Sequence, residues 1–131
     1  MRQIPVGAKG SFEQVVERKH LASELDSSLA KVMSTPAMVG MMELAAMNAI
    51  AQYLQPGEGS VGMAIEMQHT AATPPGHRVR AEAELTKVEG RRLEFRVIAR
   101  DEVDEIGSGT HRRAVIDTAK FNERLKFKIK S

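Results

Sequence analysis

Two periodicities divide the chain. From Met33 to Leu54, "MSTPAMVGMMELAAMNAIAQYL", nearly every residue is apolar or small, and between Lys31 and Glu58 only Glu43 carries a formal charge. A run of that length predicts one long buried helix over residues 36–54. Ser34 or Thr35 serves as its N-cap and Pro36 as its first helical residue, where a missing N–H does no harm. The "QPGEG" at 55–59 ends it, because Pro and Gly do not continue the hydrogen-bond ladder cheaply.

Beyond residue 60 the period drops from about 3.6 to about 2. "SVGMAIEMQHTAAT" alternates Val61, Met63, Ile65, Met67, His69 and Ala71 against Gly62, Ala64, Glu66, Gln68 and Thr70. "HRVRAEAELTKV" points Val79, Ala81, Ala83 and Leu85 inward, and "RLEFRVIAR" does the same with Leu93, Phe95, Val97 and Ala99. "PPG" at 74–76 and "EGRR" at 89–92 turn the chain. "DEVDEIGSGTHRRAVID" supplies a last strand, expected to bulge around Gly107 and Gly109. Upstream, "GSFEQVVERKHL" reads as an opening strand and residues 20–34 as an irregular flap or short helix. A short basic amphipathic tail, "KFNERLKFKIKS", closes the chain. The order strand, long helix, four strands predicts an α+β layer, with the helix buried against an antiparallel meander whose outer face is solvated. This order fits the hot-dog fold, in which a sheet wraps around a central helix. Two such sheets usually join edge to edge, so a homodimer is expected.

Composition narrows the class. The 131 residues contain no repeat or low-complexity linker, which predicts a single domain over 1–131. Apolar residues at 42% and charged residues at 27% argue for a globular chain rather than a disordered one. A formal charge of +2 with 4% aromatics offers neither the field nor the stacking surfaces that nucleic acid needs. Cysteine is absent, which removes disulfides, thiolate metal sites and a thiol nucleophile, and fits a reducing compartment. "MRQIPVGAKGSFEQ" has no apolar h-region, and Glu43, Asn48 and Gln52 interrupt the apolar run. A cytoplasmic chain with no secretory signal and no membrane span is expected.

The chemistry starts from the lone acid. On a helical wheel Glu43 shares its stripe with Val39, Gly40, Ala46, Met47 and Ile50. A carboxylate buried there without a partner costs on the order of several kcal/mol or takes up a proton. Something therefore faces it, or the stripe lines a wet cleft; the plainer alternative is a dimer seam or solvent. Strict alternation sets His69 on the strand face that presses on the helix. A lone core histidine is ordinarily structural. A histidine and a carboxylate, each alone on facing apolar surfaces, make a candidate acid–base pair near neutral pH. Thr35 has a plain role as N-cap, yet its hydroxyl stands at a helix start, where N–H groups favour an oxyanion. Met33, Met38, Met41, Met42 and Met47 suit adaptable core packing or the lining of an acyl pocket. Arg78, Arg80, Arg112 and Arg113 form a solvated face or meet phosphates. His20, His69, His77 and His111 show no metal-ligand spacing.

"MVGMMELA", "YLQPGEGSVGMAI", "HTAATPPG", "VEGRRLEFRV" and "VDEIGSGTHRRAVI" closely resemble the fluoroacetyl-CoA thioesterase family of hot-dog proteins, over roughly residues 32–122. The resemblance implies a homodimeric enzyme that hydrolyses short acyl-CoA thioesters with a Thr, a Glu and a His, here Thr35, Glu43 and His69. It further implies that Gly62 and Arg113 contact the acyl end of the substrate or support its pocket. No metal or organic cofactor is implied; coenzyme A belongs to the substrate. Three departures stand out. "HLASELDSSLAKVM" lacks the aromatic residues of the family's lid segment, Pro36 follows the Thr where glycine is usual, and Leu44 replaces an aromatic after the acid. They leave the three hydrolytic residues in place and bear on selectivity for a fluorinated acyl group. Two other readings share the pocket: an acyl-CoA binding module without turnover, and a hot-dog dehydratase.

Overall fold

The apolar run folds as α1 (Thr35–Ile50), continued by a 3-10 turn at Ala51–Tyr53, in a computed structural model that describes residues 3–129. Ser34 is the cap: its hydroxyl accepts from the Ala37 N–H at 3.1 Å, so Thr35 is the first helical residue and Pro36 the second. Five strands follow the expected order, β1 (Lys9–Val15) before the helix, then β2 (Glu58–His69), β3 (Arg78–Glu89), β4 (Arg92–Arg100) and β5 (Glu105–Asp117). They form one antiparallel sheet in the order β1-β3-β4-β5-β2, which leaves β1 and β2 as its edges.

α1 lies across the inner face of this sheet. Met38, Met41, Met42, Ala45, Ala46, Ala49 and Ile50 are buried against Val79, Ala81, Ala83 and Leu85 of β3 and Leu93, Phe95, Val97 and Ala99 of β4. The alternation read from β3 and β4 thus holds. Gly10 lets β1 lie against the helix, because a Cβ there would run into the backbone of Ala45 and Ala49. Asn48 Nδ2 fixes that contact by donating to the Ser11 carbonyl at 2.8 Å.

The outer face is a lattice of cross-strand ion pairs. Glu13 stands opposite Arg80 (2.8 Å), Glu84 opposite Arg96 (3.0 Å) and Glu94 opposite Arg112 (2.9 Å). Arg78, Arg80 and Arg112 belong to this paired surface; Arg113 does not, since it points to the other side and is buried.

The bulge expected around Gly107 and Gly109 falls at Ile106, the extra residue of β5 where Ala99 pairs with Gly107 and Arg100 with Glu105. On the other side of β5 the two glycines pair in register with His69 and Met67 of β2, and a separate irregularity falls on β2, between Gly62 and Ala64. The β5 glycines also serve close approach. A Cβ at Gly107 would come within 2.6 Å of the Met38 side chain, and one at Gly109 would collide with the Glu66 carbonyl. The β2 bulge at Met63 also corrects the face assignment there. Ser60 and Gly62 turn toward the helix before it, and Ile65, Met67 and His69 after it. Met63, read as inward, is 62% exposed.

The flap at residues 21–33 closes through a Leu21–Met33 bridge, with 3-10 turns at Arg18–His20 and Ala22–Glu24. Met33 N–H donates to the carbonyl of fully buried Thr73, whose hydroxyl donates to Asp101. The closing tail is α2 (Thr118–Ile129), with Leu125 and Ile129 exposed.

Candidate active site

Because Ser34 supplies the cap, the Thr35 hydroxyl is released for other work. It lies 2.8 Å from His69 Nδ1, on the strand end that the bulge turns toward the helix. The other ring nitrogen of His69, Nε2, is buried and has no hydrogen-bond partner among the described residues. A hydroxyl and an imidazole thus meet at the N-terminus of α1, at the positive end of its dipole; of the first N–H groups, that of Ala37 is taken by Ser34 Oγ, that of Met38 by the Ser34 carbonyl, and Pro36 has none.

The lone acid has a partner that composition did not reveal. Arg113 is 4% exposed, and its Nη1 donates to Glu43 Oε2 at 3.0 Å. Every nitrogen of the guanidinium is used: Nε donates to Ser60 Oγ (2.9 Å), Nη2 to the Ser60 carbonyl (3.1 Å), and Nη1 also reaches His111 Nε2 (3.2 Å). His111 Nδ1 lies 2.9 Å from the Ala64 carbonyl. A carbonyl only accepts, so Nδ1 bears the proton and Nε2 accepts from Arg113, which makes the ring neutral. Burial pushes the His111 imidazole below its ordinary value and the Arg113 charge acts the same way, against the opposing pulls of the Ala64 carbonyl and Glu43. Gly62, opposite Arg113 on β2, leaves room for the acid: a Cβ there would sit 2.5 Å from Glu43 Oε2.

The five residues named from the sequence therefore sort into two groups: Thr35 with His69, and Glu43 with Gly62 and Arg113. Thr35 and Glu43 stand eight residues apart on α1, which is about 12 Å along its axis at about 1.5 Å per residue. Among the described residues no hydrogen bond or ion pair within the chain joins Glu43 to His69. Ser60 and His111 escaped the sequence reading. The signal for His111 was present in the alternation of β5, which sets Gly107, Gly109, His111, Arg113 and Val115 on one face.

A curled antiparallel sheet packed on one long helix, with polar groups collected along that helix, is the hot-dog architecture of thioesterases. A structure of the fluoroacetyl-CoA thioesterase FlK superposes with a TM-score of 0.90 at 48% identity, covering 96% of this chain and 98% of that one. A variant of FlK solved with acetyl-CoA gives 0.91 at 48%, covering 95% and 98%. A Thermus thermophilus member of the thioesterase superfamily gives 0.90 at 37%, covering 99% and 98%. The fluoroacetyl-CoA thioesterase of Streptantibioticus cattleyicolor is 60% identical over 98 residues, 75% of this chain and 70% of that protein. The chain belongs to the fluoroacetyl-CoA-specific thioesterase family, whose model matches residues 16–119. Among the described residues no helix is long and apolar enough to cross a membrane.

Proposed function

We propose that this protein hydrolyses small acyl-CoA thioesters to the free acid and CoA, using Thr35, Glu43 and His69. The observation that carries the reading is the Thr35–His69 pair at the start of α1, in a chain of this family. The thioester carbonyl lies at the helix start, where the Thr35 hydroxyl and the positive end of the helix dipole stabilise negative charge on its oxygen. Glu43 either attacks the carbonyl carbon, expelling the CoA thiolate and leaving an anhydride that water opens, or takes a proton from the attacking water. His69 carries a proton from water to the departing thiolate. Arg113 holds the carboxylate of Glu43 in place, and Gly62 keeps the space beside it clear.

The acid and the imidazole meet across a homodimer. Among the described residues β2 is an edge of the sheet, and an edge is a template on which a second copy can pair. Beside Glu43, α1 leaves Leu44 and Met47 about two-fifths exposed, at 39% and 41%. A two-fold antiparallel pairing centred between Ile65 and Glu66 sets His69 of one copy across from Gly62 of the other, and so next to that copy's Glu43.

Release of free thiol from acetyl-, fluoroacetyl-, branched and aromatic acyl-CoAs tests the reading. Turnover of at least one small acyl-CoA is expected. Glu43→Gln and His69→Ala should each lower kcat/KM by roughly 100-fold or more. Folded variants that keep the full rate would refute these roles, and tight binding without thiol release would make the protein a binding module.

A further inference from the structure

We propose that His111 and Ser60 are positioning residues that aim Arg113, and through it the Glu43 carboxylate, for the hydrolysis; the inference rests on the function proposed above. A buried guanidinium must have its donors satisfied, and the way they are satisfied fixes its orientation. Ser60 grips two edges of Arg113 with its hydroxyl and its carbonyl, and His111 Nε2 takes the N–H beside the one given to Glu43. His111 is itself held on three sides. It is 2% exposed, it stacks on Phe95 with ring centroids 6.2 Å apart, and its Nδ1–H is anchored on Ala64, the residue that follows the β2 bulge. The bulge, the imidazole and the guanidinium thus form a chain of fixed contacts ending on one carboxylate oxygen. Glu43 is 38% exposed on its own helix and, among the described residues, has no other hydrogen-bond or ion-pair partner. Without this chain of contacts its carboxylate swings freely about its side-chain torsions, and a misplacement near 1 Å at a reacting group costs about 100-fold in rate.

Three variants separate positioning from plain support. Ser60→Ala removes the acceptor on Nε. His111→Phe keeps the stacked ring and removes the acceptor on Nη1, whereas His111→Gln retains an acceptor oxygen. In thiol-release assays Ser60→Ala and His111→Phe should lower kcat by roughly 10- to 100-fold with KM changed by about 3-fold or less, and His111→Gln should recover part of the loss. A purely structural role predicts lower melting temperatures with an unchanged kcat for the folded protein, and that result overturns the proposal. A second readout does not depend on turnover: the carboxyl 13C resonance of Glu43 in glutamate-labelled protein. Its chemical shift at a fixed pH should move in Ser60→Ala and His111→Phe and stay near wild type in His111→Gln. If wild type releases no thiol but these shifts appear, the functional reading fails and the positioning chain stands. If the resonance is the same in all variants, the positioning chain fails whatever the activity.

Discussion

A neutral imidazole wedged against a guanidinium has a consequence for pH. Burial holds His111 below its ordinary value of 6.5, with the Arg113 charge acting the same way. In the unfolded chain the ring takes up a proton near that ordinary value, and in the folded protein only at lower pH. The unfolded state thus binds more protons as pH falls, so the contribution of His111 is complete above about 6.5 and shrinks below it, toward the depressed folded value. Wild-type melting temperature should fall more steeply than that of His111→Gln between about pH 7.5 and about pH 5. Parallel curves for the two proteins would contradict this account of the site. At the same scale, the identity of Glu43 as an unusual residue was legible from charge alone, because no other formal charge interrupts the run around it. Its partner was not. Arg113 comes from a strand seventy residues away, and in "THRRAVI" it looks no different from its outward neighbour Arg112.

Elements decide which side chains are free to act. Two adjacent hydroxyls, Ser34 and Thr35, compete in the sequence for one capping role, and only the strand that arrives beside them distinguishes the two. Ser34 caps and Thr35 turns to His69. Ser34→Ala should therefore cost about 1 kcal/mol in denaturant unfolding. Thr35→Ala should cost clearly less stability while lowering the rate of thiol release, and equal losses of stability would mean that the cap is shared. β3 and β4 were read correctly because their alternation runs unbroken through the buried positions. β2 was not, because one extra residue in "VGMAI" reverses the faces and leaves no mark in an apolar stretch. That reversal is also what brings Gly62 and His69, on opposite faces by simple counting, to the same side as α1.

At the scale of the molecule, the sheet presents a paired, charged outer face and spends its apolar inner face on one helix. Such exposed ion pairs contribute at most about 1 kcal/mol each, so the fold rests on the helix–sheet core. Within one copy Glu43 and His69 have separate partners, and the dimer proposed above would close that gap with a second copy, which no pattern within a single sequence announces. Subunit mixing tests that claim directly. Glu43→Gln and His69→Ala proteins are unfolded together, refolded as a mixture and assayed for thiol release. Each variant alone should be nearly inactive. The mixture should recover about a quarter of wild-type activity, because about half of the dimers are hybrids and each hybrid rebuilds one intact site of two. A mixture no more active than its parents, in a sample shown to contain hybrid dimers, would contradict a site shared between two copies.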